Sequence, residues 1–252
     1  MAKFCTKCGS ALEDGKCPKC KEEKKETTKK VETTATTEAV DMKASFMDCL
    51  NILKKVFVKP IETVKEFVTE NKFVTGIIMI VMTAIASGIN KIATLKSMFD
   101  AKSADSFNIN DLQNLLGGNY GPKEPEYFKE FMTTFAYNLI EYAIIAVVGY
   151  FVITTLFKGK ATIKKMFSVV GVAFSVVLVA FLLNSIIVFI DGEVFGYIRS
   201  YITTFGTIFS YLLIYEGIKE ISGIDKEKLF LSVASMCIFG TMVIDILHKI
   251  FD

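Results

Sequence analysis

The longest uncharged stretch of the chain decides its fold class. Met166 to Ile190 form 25 consecutive positions without a charged side chain. A helix of that length crosses a bilayer core of ~30 Å at ~1.5 Å per residue. Apolar residues make up 52% of the 252 residues, and the mean hydropathy is +0.43. An ordinary globular enzyme with one water-shielded core is therefore excluded, and the sequence predicts an all-α polytopic membrane protein.

Five apolar runs are candidates for transmembrane helices. Only the third is free of charge over its whole length, and each of the others carries a charge near one end. Short loops separate the last four runs, so those helices should be antiparallel neighbours, and a longer polar loop follows the first run. Together they predict a five-helix domain over residues 73–252, with the runs Phe73–Leu95, Thr133–Phe157, Met166–Ile190, Tyr197–Gly217 and Leu229–Leu247.

The distribution of lysine predicts the orientation. Twelve lysines lie in residues 53–72, 158–165 and 218–228, whereas the opposite set of loops holds six basic residues over longer stretches. Loops on the cytoplasmic side carry the excess of Lys and Arg. We therefore expect a cytoplasmic N-terminus and, after five crossings, an extracytoplasmic C-terminus. The ratio of 28 lysines to one arginine suggests an AT-rich bacterial genome, and hence a bacterial plasma membrane.

Four cysteines near the N-terminus form the sharpest chemical motif. Their spacing, Cys-x2-Cys-x8-Cys-x2-Cys, provides two turns that can hold four thiolates around one zinc ion. Twenty residues have no hydrophobic core, so the metal would supply the folding free energy. The alternative of two disulfides is disfavoured on the reducing cytoplasmic side. Residues 1–20 are thus predicted to form a zinc ribbon, similar to those at the N-termini of many bacterial proteins, with the ligands Cys5, Cys8, Cys17 and Cys20.

The predicted zinc site has a structural character. Cysteine fills all four coordination positions, so none remains open to activate water. Few aromatic residues and modest basicity disfavour nucleic acid as a ligand of this module. We expect the ribbon to dock another protein.

Two further segments connect the ribbon to the membrane. Residues 21–45 hold six lysines, six acidic residues and six threonines, too little apolar surface to fold, and are predicted to be a disordered linker. Residues 46–72 carry an amphipathic helical pattern interrupted by Pro60, which is expected to break the helix. This segment could lie in the headgroup plane or pack against the cytoplasmic end of the bundle.

Four charged residues near the span ends form a weaker pattern. Counted from the cytoplasmic boundary at ~1.5 Å per residue, all four lie at a depth of roughly 24–27 Å. They could form interhelical ion pairs that offset the cost of charge in the apolar layer, with Lys91 joined to Glu141 and Arg199 to Asp245, or the exchanged pairs. Alternatively, they mark where each helix reaches the outer headgroups.

Small and amide side chains within the runs predict contacts between helices. Gly76, Ala84 and Gly88 are expected to be close-packing positions, and Asn138 and Asn184 are expected to form interhelical hydrogen bonds rather than to bind a ligand.

No catalytic set is present in the sequence. The chain has one histidine, and it lacks a Ser-His-Asp set, a zinc-protease motif and a phosphate-binding glycine loop. The protein is therefore not expected to be an enzyme. The main alternative to a scaffold is a small-solute transporter or channel component. The third run, apolar on every face, weighs against a pore within one chain, although a homo-oligomer could form one between chains.

The order of these elements resembles the Yip family. The Pro-containing lead-in NILKKVFVKPIETVKEF, a first span, a long polar loop and four closely spaced spans carry the resemblance over residues 46–252. It implies a five-span domain in the lipid bilayer and a role in vesicle traffic or in organising or shaping membranes. Eukaryotic relatives bind Rab-type GTPases, but the Asp-Leu-Tyr-Gly-Pro segment that they carry before the first span is absent here. The resemblance and the predicted ribbon together indicate a membrane scaffold with a cytoplasmic interaction module.

Overall fold

The computed structural model describes residues 42–70, 72–105, 124–190 and 193–251. Over these ranges the chain forms seven helices and no strand, as predicted for an all-α protein. The predicted zinc ribbon, residues 1–20, lies outside the described residues, as does nearly all of the predicted linker. The helices are α1 (Met42–Val58), α2 (Pro60–Thr69), α3 (Phe73–Asp105), α4 (Tyr127–Phe151), α5 (Ile163–Ile187), α6 (Glu193–Ser222) and α7 (Lys226–Phe251).

Helix α5 is the centre of the bundle. It packs against α1, α2, α3, α4 and α6, and most of its residues from Met166 to Ala180 are buried. A helix that is apolar on every face can be covered on every face without leaving polar groups unpaired. Its N-terminus is capped by the hydroxyl of Thr162, which accepts a hydrogen bond from the amide of Lys165 at 3.4 Å.

The closest approach in the bundle is between α3 and α5. Gly171 lies directly against the backbone of Gly76, and a Cβ at Gly76 would lie 2.9 Å from the Cα of Ser168. Small residues allow two membrane helices to approach closely and gain van der Waals contact. The prediction that Gly76 and Gly88 are close-packing positions is confirmed, since the ring of Phe131 lies over Gly88.

Within the described part of the chain, four helices are long and apolar enough to cross a membrane: Phe73–Ala101, Tyr127–Leu156, Ile163–Ile187 and Lys226–Ile246. The second of them includes a short π-helical turn, Val152–Leu156, that ends α4. The remaining predicted span, Tyr197–Gly217, lies within α6. That helix has 30 residues, which is long enough, but its threonines, serines and tyrosines reduce its apolar character.

Hydrogen bonds between helix ends define the register of the bundle. The amide of Lys160, between α4 and α5, donates to the carbonyl of Ser222 at the end of α6, at 2.9 Å. Toward the other end, the hydroxyl of Ser97 in α3 donates to the carbonyl of Val188 after α5, at 3.1 Å. Helices α3 and α5 are therefore parallel, whereas α6 runs in the opposite direction.

Helices α1 and α2 form a hairpin that packs on this bundle. The chain breaks at Lys59 and Pro60 begins α2, as predicted. Helix α1 contacts α3 and α5, and α2 contacts α5 and α6. The amphipathic segment therefore packs against the bundle, and it extends past the end of the bundle toward its middle, since Phe57 lines a groove with Val176 in the middle of α5.

The base of the hairpin is anchored by Cys49 and Lys72. The Cys49 thiol donates to the carbonyl of Thr75 at 3.8 Å. Burial, with the charge of Asp48 adding to it, raises the pKa of this thiol to about 11, so it remains protonated at neutral pH and serves as a packing group. The Lys72 ammonium lies 3.3 Å from Asp48 and 2.9 Å from Glu70, which joins α1 to the end of α2.

Candidate functional site: a polar cluster between three helices

Asn184 is the polar residue at the centre of the contact between α5 and α6. Its side chain is only 3% exposed. The amide nitrogen donates to the hydroxyl of Thr203 at 2.7 Å and to the carbonyl of Arg199 at 3.3 Å. The prediction that Asn184 forms interhelical hydrogen bonds is confirmed. The other asparagine with that prediction, Asn138, instead donates to Thr134 in its own helix.

Arg199 extends this cluster from α6 to α3. Its guanidinium Nη2 donates to the hydroxyl of Thr94 at 2.8 Å, and that hydroxyl also donates to the carbonyl of Asn90 one turn earlier. Thr203 lies one turn after Arg199 and donates back to its carbonyl at 3.1 Å. Thr94 follows Asn90 by four residues, and Thr203 follows Arg199 by four. Each pair therefore lies on one face of its helix.

Three buried polar atoms remain without a hydrogen-bond partner among the described residues. They are the side-chain oxygens of Asn90 and Asn184 and the Nε of Arg199. All three belong to this cluster. Two acceptors and one donor match the hydrogen-bonding capacity of a water molecule, which donates two bonds and accepts others. The cluster is thus a small polar region within an otherwise apolar bundle.

Lys91 lies near this cluster and makes a different ion pair from the predicted one. Its ammonium is 3.9 Å from the carboxylate of Glu130, near the start of α4. Glu141 follows eleven residues later, which is an axial distance of about 16 Å along the helix. Glu130 lies in the part of α4 that precedes the predicted apolar run, which begins at Thr133.

The two acidic residues of the predicted charge pairs are Glu141, which faces α7, and Asp245, which belongs to α7. Glu141 lines a small cavity of about 30 Å³ together with Tyr211, Cys237 and Thr241. Asp245 is exposed on α7. Arg199 bonds Thr94 rather than an acidic side chain in the contacts observed. The pairing of Lys91 with Glu141 and of Arg199 with Asp245 stays a prediction.

The chemistry available in the described part of the bundle is that of hydrogen bonding and charge. Residues 42–70, 72–105, 124–190 and 193–251 contain no group of three or more His, Cys, Asp or Glu side chains placed to hold a metal ion. The predicted zinc ligands lie outside these residues. Sequence reasoning did not single out Thr94, Thr203 or Glu130, although the four-residue spacing from Asn90 to Thr94 and from Arg199 to Thr203 indicates a shared face.

Replacing Asn184 by alanine is expected to destabilise the bundle by about 0.5–2 kcal/mol, because two interhelical hydrogen bonds are lost within the membrane. Ser185→Ala is the matched control, since the Ser185 hydroxyl donates only to the carbonyl of Phe181 in its own helix. Unfolding midpoints of the two variants in mixed micelles would measure the difference. Equal midpoints would show that the Asn184 contacts contribute nothing.

The family comparison covers nearly the whole of this helical domain. Residues 54–247, from the second half of α1 to the end of α7, match the Yip1 domain. The chain belongs to the Yip1 family. No curated protein and no solved structure gave a significant match.

Membership of the Yip1 family confirms the resemblance drawn from the lead-in and the order of spans. Together with four apolar helices it identifies an integral membrane protein. The matched region begins within α1, so most of the α1–α2 hairpin belongs to the Yip1 domain. The polar cluster of Asn90, Thr94, Asn184, Arg199 and Thr203 lies inside it as well.

Proposed function

We propose that this Yip1-family protein is a membrane scaffold that organises or shapes the bilayer and recruits a protein partner through an N-terminal zinc ribbon. The observation that carries the proposal is the burial of α5. From Met166 to Ala180 the helix at the centre of the bundle is almost completely covered by its neighbours, with Val169, Val170 and Val172 fully buried. Such a bundle offers its outer surface to lipid and partners and has a filled interior.

The alternative, a small-solute transporter or channel component, needs a polar path through the protein. The polar cluster at Asn184 and the small cavity at Glu141 are separate local features along α5 and α4. A continuous path would therefore have to form between copies in a homo-oligomer. We favour the scaffold because its activity needs no such assembly.

Five crossings are part of the proposal, with α6 as the additional span. Helix α6 starts just after the far end of α5 and returns to the loop at Lys160, so it covers the same thickness as α5. Several of its hydroxyl groups donate within the helix: Thr207 donates to the carbonyl of Thr203 and Ser210 to that of Thr207. Internal hydrogen bonds of this kind support a position in lipid.

The orientation and the metal complete the proposal. The lysine-rich loops support a cytoplasmic N-terminus and an extracytoplasmic C-terminus in a bacterial plasma membrane. On the cytoplasmic side Cys5, Cys8, Cys17 and Cys20 would stay reduced and bind one structural zinc ion. The proposed partner is a protein rather than nucleic acid, and no catalytic activity is assigned.

A pair of proximity-labelling fusions to the intact chain tests this function. A labelling enzyme fused before Met1 is expected to mark a small, reproducible set of cytoplasmic proteins. The same enzyme fused after Asp252 is expected to mark none of them, because five crossings separate the two termini. Purified protein reconstituted in liposomes should show no solute flux above that of empty liposomes. Labelling of the same cytoplasmic proteins from both ends would contradict the five-span topology, and specific flux would favour the transporter.

A further inference from the structure

The α1–α2 hairpin rises along the side of the bundle toward its middle. Its base is fixed where Cys49 meets Thr75, at the start of α3. Near its tip, Phe57 lines an apolar groove with α5 residues from Val176 to Leu183 and α6 residues from Ile198 to Gly206. Val176 is thirteen residues into α5, about 20 Å from its start. The hairpin therefore reaches the depth at which hydrocarbon surrounds the bundle.

One flank of α1 is apolar and exposed. Phe46, Leu50 and Phe57 recur at helical spacing and are 46%, 37% and 47% exposed. The groove that continues from Phe57 has exposed apolar side chains at its edges, among them Leu183, Tyr201 and Phe205. This flank is thus continuous with the apolar outer surface of the spans, which lipid covers in a membrane protein.

The face of the hairpin that points away from the bundle is charged. The Lys55 ammonium lies 3.2 Å from the Glu66 carboxylate, and that of Lys59 lies 2.8 Å from Glu62. All four side chains are more than half exposed, and with Lys54 they line a shallow groove between the two helices. Charged groups are costly within hydrocarbon unless headgroups and water reach them.

The apolar flank and the charged face of the hairpin need different surroundings at the same depth in the membrane. Phe57 and Val58 are neighbours near the tip, yet they lie about 100° apart around the helix. Phe57 belongs to the apolar flank, whereas Val58, 78% exposed, lies in the charged groove beside Lys54 and Lys55. A flat, undisturbed leaflet cannot provide acyl chains to one and water to the other at equal depth.

We propose that the α1–α2 hairpin is a wedge that thins the leaflet beside α5. Acyl chains cover the flank of Phe46, Leu50 and Phe57, while lipid headgroups and water descend to the charged face of Lys54, Lys55, Lys59, Glu62 and Glu66. The thinning is a physical means of shaping a membrane. It deepens the proposed scaffold function and rests on it only in treating the bundle as embedded in lipid.

Single tryptophans test the wedge, because the chain contains no Trp. Phe57→Trp and Val58→Trp are introduced separately in the full chain, which is reconstituted in phosphatidylcholine–phosphatidylglycerol vesicles. Lipids brominated on the acyl chain are expected to quench the fluorescence of Phe57→Trp by about twofold or more, with little effect of aqueous acrylamide. For Val58→Trp the order is reversed, with strong quenching by acrylamide and weak quenching by brominated chains.

Two further variants calibrate the quenchers. Phe239→Trp, on the exposed surface of α7, should respond to brominated chains, and Glu70→Trp, at the base of the hairpin, to acrylamide. Circular dichroism and elution volume establish that each variant is folded. Quenching of both tip variants by brominated chains would overturn the thinning, and quenching of both by acrylamide would overturn the insertion. Protection of both from either quencher would show a protein contact, such as a second copy, in place of lipid. None of these outcomes depends on whether a cytoplasmic partner is captured.

Discussion

Replacing Gly171 by alanine is expected to lower the free energy of unfolding by about 3 kcal/mol or more. The added Cβ would lie 2.7 Å from the Cα of Gly76 and still closer to its carbonyl oxygen. Both are backbone atoms, so no side chain can rotate to make room. Helices α3 and α5 would have to separate, and the buried contacts around Met79 and Val170 would loosen with them.

Gly196→Ala provides the matched control, because a Cβ at that position in α6 meets no atom within 4 Å. Thermal unfolding of both variants in detergent, followed by circular dichroism, would measure the difference. The Gly171 variant should unfold at a clearly lower temperature, whereas the Gly196 variant should match the parent. Parental stability of Gly171→Ala would mean that α3 and α5 are not packed at this distance.

Replacing Cys17 by serine is expected to reduce bound zinc from about one ion per chain to almost none. A four-thiolate site that loses one ligand loses much of its affinity. Residues 1–20 have too few apolar side chains to stay folded without the metal. Capture of the cytoplasmic partner by the intact chain should be lost together with the zinc.

Metal analysis of the purified full chain measures this effect, and Cys237→Ser is its control. Cys237 lies in α7 as a free thiol, so its replacement should leave the zinc content unchanged. Equal zinc content in the two variants would contradict the four-cysteine site. If protein purified without oxidant contained disulfides at Cys5, Cys8, Cys17 and Cys20, the two-disulfide alternative would replace the zinc site.

Local sequence signals predicted several structural features correctly. Pro60 lacks the amide needed in a helix interior, and α2 begins at that residue. Gly76 and Gly88 marked close approaches, and Asn184 marked a hydrogen bond between helices. Each of these depends on the chemistry of one side chain. The same reasoning did not hold for Asn138, which donates to Thr134 in its own helix, because the partner that an amide meets depends on the neighbouring helix.

Register between helices was harder to predict. The depths of Lys91 and Glu141 were counted from Phe73 and Phe157, the ends of their apolar runs. In the structure the start of α4 lies beside the second half of α3, since the Phe131 ring lies over Gly88 and Glu130 meets Lys91. Apolar composition indicates where lipid can surround a helix. It does not indicate how far the helix extends or how neighbouring helices are offset along its axis. The polar cluster escaped notice for the same reason, since Thr94 and Arg199 are 105 residues apart.

The long uncharged runs were enough to predict a set of apolar helices in a membrane, because lipid satisfies such runs when the backbone is hydrogen-bonded within each helix. The sequence also predicted an amphipathic lead-in broken at Pro60. Which side of that lead-in meets the bundle became clear from helix packing alone. Lipid and a protein interior are both apolar, so the hydrophobic pattern of α1 cannot distinguish them. Packing against α3 and α5 buries Cys49 and Val56 and leaves Phe57 facing outward.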